Sequence, residues 1–449
     1  MGKLGETAII VCSRPDSKRV PRKVFTEFPL GKNKKTTLLM ALLSRLKMTG
    51  LPIILAIPKG SGKDYESYLS MNNVHLFVGY GDDPLKRMSE AAKKYEVKNI
   101  IRVCHDKIFI DPILIKRALG IYENMAVDYL YSSFFIEGTG FEIIHGQCLH
   151  LASSIYKNVE HISYAIKAVT KNVYNWAIPM SERCGHRILV DTPKDIKVIQ
   201  KIFERFKTKT IEVSLYRILE FLRIHPEITA INKQPEATIY TCVYNCEKYI
   251  EECIKSVVRQ KNFNEYEYII VNDKSKDESL EIINEYAKRY ENIKIVNNKK
   301  NIGLSSSSNI ALSMARGKYI TRIDADDYYP SKNAVRELIN CIKHSDMDAI
   351  YPANYFGSKK TIQSGEENHH VGGAIFNRRS INDIKFTDGL RGYEGLDFFH
   401  RARNYLRIGY LANPIFFYRQ HDKSLSKDKS EKRKQIKEKI SNDYRTAMA

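Results

Sequence analysis

Zinc-type cysteine pairing and membrane-length apolar runs are both missing from this chain, and acidic residues are in the minority. The eight cysteines, Cys12, Cys104, Cys148, Cys184, Cys242, Cys246, Cys253 and Cys341, are scattered, with no Cys-x-x-Cys pair and no Cys/His cluster of zinc spacing. They read as reduced thiols of a cytoplasmic protein. The most apolar region, Thr36 to Pro58, is interrupted by Arg45, Lys47 and Pro52, short of the roughly 20 apolar residues that a membrane helix needs. No N-terminal signal pattern is visible, so the expectation is a soluble protein with, at most, peripheral membrane contact. Asp and Glu total 52 against 72 Lys and Arg, a formal charge of +20. That excess calls for anionic partners such as nucleotides, sugar phosphates, nucleic acid or acidic lipid headgroups. Zinc-finger spacing, an aromatic RNP string and a helix-turn-helix signature are absent. No nucleic-acid partner is therefore expected, and a basic nucleic-acid or membrane-binding module is the weaker rival reading.

What is present is a chain of 449 residues with 43% hydrophobic content, too long for one ordinary core and therefore expected to form two or three globular domains. Apolar runs at Thr7–Cys12, 52–57, 74–78 and 99–103 alternate with helical patterns at 37–47 and 84–95, the signature of an α/β domain. A second alternation starts at Ala237. Between the two, residues 191–206 and 211–223 read as helices, and prolines 226 and 235 break the pattern. The expected layout is a first domain over 1–207, a helical linker over 208–235, a second domain over 236–422 and a basic tail over 423–449.

The most informative string is Ile323-Asp324-Ala325-Asp326-Asp327, reached after strand, helix, strand, helix and strand. Three carboxylates within four residues repel one another and are costly to bury, so a cation should hold them together. A divalent metal gripping a diphosphate fits that demand, whereas helix capping could explain one carboxylate but not three. Asp273, at the end of the strand 268–271, is placed to reach a nucleobase or ribose, because strand ends in an open α/β sheet line the ligand crevice. Asp277 reads as a helix cap.

Thr241, Asn245 and Tyr249-Ile250, then Asn272-Asp273, Asn301-Ile302-Gly303-Leu304, Asn309, Ala315-Arg316-Gly317-Lys318-Tyr319-Ile320 and the Asp-x-Asp string resemble, in order, the family-2 glycosyltransferases of the GT-A fold. Lys274 stands where that family usually has glycine. The resemblance implies that Thr241, Asn245, Asp273, Asn301, Gly303, Asn309, Arg316 and Arg419 bind a nucleotide-sugar donor. It also implies that Asp324 and Asp326 hold Mn²⁺ or Mg²⁺ against the donor diphosphate, with Asp327 beside them or as a further ligand. Residues 392–401 stand where the family carries its catalytic carboxylate, with Gly395 in place of the usual aspartate. Glu394 is the first choice for the base that takes the acceptor proton and Asp397 the second; a helix-start cap explains Asp397 equally well. The segment Tyr418-Arg419-Gln420-His421 resembles the family's closing motif and makes His421 a candidate metal ligand. His369-His370-Val371-Gly372-Gly373 is expected to be a loop near the acceptor, since paired glycines allow close backbone approach.

In the first half, Arg14, Ser17, Arg19, Pro21 and Lys23 follow the strand 8–11 in a loop dense in cations and hydroxyls, suited to wrapping a triphosphate. Their spacing resembles that of the cytidylyltransferases that activate ulosonic and sialic acids and of their spore-coat-polysaccharide relatives. The resemblance runs over roughly the first 205 residues. It implies a nucleoside-triphosphate site made by Arg14, Ser17, Arg19, Lys23 and Arg102, with Mg²⁺ on Asp106 and Asp191, and allows a homodimer through this domain. His105 stands where those enzymes have glycine, and the segment 137–142 lacks their middle aspartate.

The expected fold is thus two Rossmann-like α/β nucleotide-binding domains, the second of GT-A type. The expected function is a bifunctional nucleotide-sugar enzyme of surface-glycan assembly that uses CTP with a sugar phosphate or acidic sugar, a nucleotide-sugar donor, and a glycan or lipid-linked acceptor. Its rival keeps transfer only, with the first domain a non-catalytic scaffold.

Overall fold

The structure, a computed structural model, describes residues 4–421 apart from 16–19, 69, 82, 133–135, 158–161, 177–185, 358–360, 367–369, 382–383, 391 and 405, and beyond them 435, 436, 438 and 440. The chain divides into two compact units, Met1–Lys233 and Gln234–Ala449. No helix among the described residues is long and apolar enough to cross a membrane.

The first unit has strands β1 (Thr7–Cys12), β2 (Glu27–Gly31), β3 (Lys34–Thr37), β4 (Ile53–Pro58), β5 (Val74–Gly79), β6 (Asn99–Cys104), β7 (Tyr129–Tyr131), β8 (Glu142–His145) and β9 (Val173–Asn175). Seven of them form one mixed sheet in the order β5-β4-β1-β6-β8-β7-β9, while β2 and β3 pair as a hairpin. β1 is parallel to β4 and β6, and its central residues Ala8, Ile9, Ile10 and Val11 are fully buried, as expected of a strand covered on both faces. The strand order reverses between β1 and β6, so their C-terminal ends open the ligand crevice of this sheet. Local chemistry sets the helix starts: Asp83 precedes Pro84 and accepts from Lys86 N at 3.0 Å, and Asp111 precedes Pro112 and accepts from Ile113 N at 2.9 Å.

Residues 208–233 are not a free linker. The helix Leu215–Ile224 buries Leu215, Ile218 and Leu222 in the first unit's core, and the fully buried Arg45 donates to the carbonyls of Thr210, Ile211 and Val213. The expectation of a linker failed because the helix's apolar stripe shows that it is covered without showing by what.

The second unit has β10 (Ala237–Val243), β11 (Tyr266–Asn272), β12 (Ile293–Asn297), β13 (Tyr319–Arg322), β14 (Ala349–Phe356), β15 (Thr361–Gln363), β16 (Ile375–Asn377) and β17 (Ile408–Tyr418). Their order is β12-β11-β10-β13-β16-β14-β15, with β17 parallel to β14. β10 to β13 are mutually parallel and the order reverses between β10 and β13, which puts the crevice at the ends that carry Asn245, Asp273 and Asp324. Both units are thus Rossmann-like mixed α/β sheets.

Candidate active site

In the second unit, β13 ends at Arg322 and the chain turns sharply, Asp327 N donating to Asp324 O at 3.0 Å. The end of β17 closes on this turn. Arg419 N donates to Asp327 Oδ1 at 2.8 Å, Arg419 Nε to Asp326 O at 2.8 Å, and its Nη2 pairs with Glu252. His421 Nε2 lies 2.9 Å from Asp326 Oδ2, with its imidazole stacked on Tyr249 at 4.7 Å. Asp327 is 2% exposed and its Oδ2 has no hydrogen-bond partner among the described residues. Burial, and then the neighbouring Asp326 and Asp324, push its pKa well above the usual carboxylate range. Asp324 faces Arg322, whose Nε is 2.8 Å from Oδ1, and His370, whose Nε2 is 3.5 Å from Oδ2. Gly372 N donates to His370 Nδ1 at 3.1 Å, which fixes the ring with Nε2 toward Asp324. A Cβ on Gly372 would meet the His370 ring at 2.6 Å, and one on Gly373, at φ +78°, would strike Phe416 at 2.2 Å. The glycine pair lets this loop reach the carboxylates.

The donor set of Asp324, Asp326, Asp327 and His421 suits Mn²⁺ or Mg²⁺, and the orphaned, buried Asp327 oxygen is a carboxylate in want of a cation. No group of three such side chains is already gathered around one point among the described residues. Asp324 is held by Arg322 and His370, while Asp326 is held by His421.

The two candidate bases differ. Glu394 is 8% exposed, begins the helix Glu394–Ala402 after Tyr393 at φ 58°, and has its carboxylate 3.6 Å from Arg322 Nη2. Asp397 Oδ2 accepts from Thr387 Oγ1 at 2.8 Å and from Arg401 Nη2 at 2.7 Å and Nε at 3.2 Å. Its Oδ2 is therefore engaged within its own helix and the preceding loop.

Several expected donor contacts hold the protein together instead. Thr241 is fully buried, its hydroxyl 2.9 Å from Tyr268 Oη and donating to Ile323 O at 2.8 Å, so it positions the aspartate turn from beneath. Asp273, 3% exposed, accepts from Ile302 N at 2.9 Å, Gly303 N at 2.8 Å and Asn298 Nδ2 at 2.9 Å, which leaves it ordering the 298–303 loop rather than open to a base. Asn301 supports the same loop through Asp273 O, and Gly303, at φ +87°, starts the helix Leu304–Met314. Asn245 Oδ1 accepts from Lys276 N at 2.8 Å. Asn309 is bonded to Phe386 N and O and to Asp388. Arg316 is a clear correction, because it pairs with the buried Glu267 beside Thr238, at the N-terminal end of the parallel strands. Five residues of β10 separate that end from the crevice, about 16 Å at strand rise. Asp277 is not an N-cap by position, yet its two oxygens accept from Ser279 N and Glu247 N and tie two helix starts together.

In the first unit, Lys23 Nζ lies 3.3 Å from Asp106 Oδ2 and 3.6 Å from Asp191 Oδ1 and donates to Val190 O at 2.9 Å. The two candidate magnesium ligands therefore face each other across an ammonium, and as placed they do not form an open metal site. Burial pushes the Asp106 carboxyl up, but Lys23, His105 and Lys107 outweigh it and hold its pKa down at about 2. His105 Nδ1 is 3.0 Å from Cys12 O, which ties the side chain found in place of glycine to the end of β1. Arg14 is exposed, while Ser17 and Arg19 lie outside the described residues. Arg102 is paired with Glu142 at 2.8 Å across the β6–β8 ladder, so its guanidinium is engaged by a carboxylate of the sheet. Asp191 precedes the helix Pro193–Phe206 but does not cap it; Thr192 does, in a capping box with Asp195. Asp195, fully buried, is clamped by Arg187 at 2.8 Å and by Asn232 at 2.8 Å, and it accepts from Asp191 N.

Sequence reasoning missed Arg322, Glu252 and Arg187, and it placed His370 in a loop near the site without giving it a partner. Only Arg322 carried a usable signal, a charged residue in an otherwise apolar strand.

Comparison with known proteins agrees with this geometry. Residues 238–421 match the family described as Glycosyl transferase family 2. A stretch of 93 residues is 42% identical to an uncharacterized glycosyltransferase of Haemophilus influenzae, covering 21% of this chain and 28% of that protein. Another of 96 residues is 44% identical to the poly(ribitol-phosphate) beta-glucosyltransferase of Bacillus spizizenii, covering 21% and 15%. The matched stretches thus span less than a third of either relative. Among solved structures, a cytidylyltransferase from Leptospira borgpetersenii superposes with a TM-score of 0.44 at 23% identity over 50% of this chain and 96% of that one. With the crevice, the aspartate turn and the family match in agreement, residues 238–421 of this chain are a family 2 glycosyltransferase domain.

Proposed function

We propose that this domain transfers a sugar, with inversion, from a nucleotide-sugar donor to a glycan or lipid-linked acceptor in surface-polysaccharide assembly. The observation that carries the reading is the aspartate turn, with Asp327's oxygen buried and unpartnered beside two further carboxylates at the crevice end of β13. Asp324, Asp326 and His421 would hold the divalent cation, which when bound offsets charge on the leaving nucleoside diphosphate. Glu394, the less engaged of the two candidate bases, takes the acceptor hydroxyl proton as that oxygen attacks the anomeric carbon. The named activity of the Bacillus spizizenii relative supports a polymer as acceptor. Asp326→Ala is expected to abolish release of nucleoside diphosphate from a panel of UDP-, GDP- and CDP-sugars with Mn²⁺ while the circular dichroism is unchanged. Wild-type turnover in that variant, or undiminished wild-type activity in EDTA, rules the reading out.

The first unit is proposed to activate a sugar with CTP. Transfer of a cytidylyl group to a sugar phosphate would release pyrophosphate and leave a nucleoside diphosphate sugar, the kind of donor the second site takes. A second reading, a scaffold that binds nucleotide without turning it over, is favoured by the Lys23 ammonium between Asp106 and Asp191. The assay below separates the two.

A further inference from the structure

Arg322 is 0% exposed, on the last residue of β13, and its guanidinium faces two carboxylates with different tasks. Nε is 2.8 Å from Asp324 Oδ1, Nη2 donates to Asp324 Oδ2 at 3.3 Å, and Nη2 is also 3.6 Å from Glu394 Oε1. Nε, although close to Asp324, and Nη1 both lack a well-aligned hydrogen-bond partner among the described residues. Around it stand Tyr240, Val371, Phe376 and Phe398, with the Phe386 ring centroid at 6.0 Å. A cation so buried persists only if carboxylates hold it. A guanidinium does not lose its proton in proteins, so the charge is permanent and the two carboxylates balance it.

We infer that Arg322 is a positioning residue that competes with the divalent cation for Asp324 and, once the cation takes that carboxylate, is left to Glu394, so that metal loading and placement of the base are linked. The inference rests on the reading of Asp324 as a metal ligand and Glu394 as the base. The backbone cannot carry the guanidinium away, because Arg322 is in register with Tyr240 of β10 and its carbonyl accepts from Gly373 N at 2.7 Å. A divalent charge arriving at Asp324 repels the guanidinium, and the fork has one other anion within reach. Its planar fork spans both carboxylates as a lysine ammonium, a single point of charge, cannot.

The test compares Arg322→Met and Arg322→Lys with the wild type. Mn²⁺ binding, alone and with UDP, is titrated by the loss of the free-ion electron paramagnetic resonance signal, and turnover is read as nucleoside diphosphate release. Arg322→Met is expected to tighten Mn²⁺ binding about tenfold, by removing a like charge a few ångströms away, while turnover falls at least a hundredfold. Arg322→Lys should bind Mn²⁺ as the wild type does, with turnover down about tenfold. Arg322→Gln replaces the Met variant if the latter does not fold. Weaker Mn²⁺ binding together with slower turnover in the neutral variant means that Arg322 only supports the shape of the site, and overturns the inference. In the double variant Arg322→Lys with Glu394→Gln, turnover should equal that of Glu394→Gln alone, and multiplied losses overturn the inference while leaving the base assignment standing. Full turnover in Glu394→Gln removes the base assignment and this inference with it. A wild type that binds no Mn²⁺ under either condition overturns both.

Discussion

Glu394→Gln keeps the shape of the side chain and its hydrogen bonding but cannot accept a proton. Loss of a positioned general base costs about 10²–10⁴ in rate, which at 1.36 kcal/mol per tenfold is about 3–5 kcal/mol of barrier. At saturating Mn²⁺ the donor KM should hold, because the aspartate turn is then loaded whatever Arg322 does. Asp397→Asn supplies the contrast. Its Oδ2 already accepts from Thr387 and twice from Arg401, which ties the carboxylate down within its own helix, and the change weakens an i,i+4 ion pair worth roughly 0.2–0.5 kcal/mol of helix stability. Turnover should stay within about threefold of wild type, small beside the expected base effect. Initial rates of nucleoside diphosphate release with Mn²⁺ at saturating and subsaturating donor separate kcat from KM for both variants. If Asp397→Asn loses a hundredfold and Glu394→Gln does not, the reasoning from the engaged Oδ2 is wrong and the assignments exchange.

Glu267 is 2% exposed and bonded to Thr238, Lys294 and Arg316 at the end of the sheet away from the crevice. Burial pushes its pKa up, but Lys294, Thr238 and the Arg316 amide outweigh it and leave it lowered. Its stabilisation is therefore present above the unfolded carboxyl pKa and lost as pH falls through the folded one. Glu267→Gln should cost about 1.5–3 kcal/mol at neutral pH and flatten the acid limb of the melting curve, with kcat unchanged at 25 °C; a tenfold loss of kcat would restore Arg316 to the donor site. Residues 1–233 expressed alone should bind CTP by calorimetry, and Lys23→Met should weaken that binding by removing the cation between Asp106 and Asp191. Pyrophosphate release on adding a sugar phosphate marks the unit as an enzyme, binding without release marks it as a scaffold, and no binding of any nucleoside triphosphate refutes both.

How far the sequence was legible depended on the range of the interactions involved. The apolar runs at 7–12, 52–57, 74–78 and 99–103 stood out because strands covered on both faces of a parallel sheet are largely apolar, and the structure has strands at 7–12, 53–58, 74–79 and 99–104. The helical pattern at 84–95 stood out by its periodicity, and the structure starts that helix at Pro84. The aspartate string stood out because clustered carboxylates are costly wherever they are placed. By contrast, Asp273, Asn309, Thr241 and Arg102 are polar groups whose roles depend on what lies opposite: the amides of residues 302 and 303, the 386–388 segment, the carbonyl of Ile323 and the carboxylate of Glu142. A side chain that binds a ligand and one that binds backbone look alike in one dimension.

The sequence by itself thus determined the two α/β units, the crevice strands and the carboxylate turn, since these follow from periodicity, capping and local charge, all properties of neighbours in the chain. Only the tertiary structure decided that residues 208–233 complete the first unit, that Lys23 stands between Asp106 and Asp191, that Arg316 faces away from the site, and that Arg322 joins Asp324 to Glu394. Those are contacts between residues far apart in the chain or on opposite sheet ends, and strand register with packing sets them rather than any local preference.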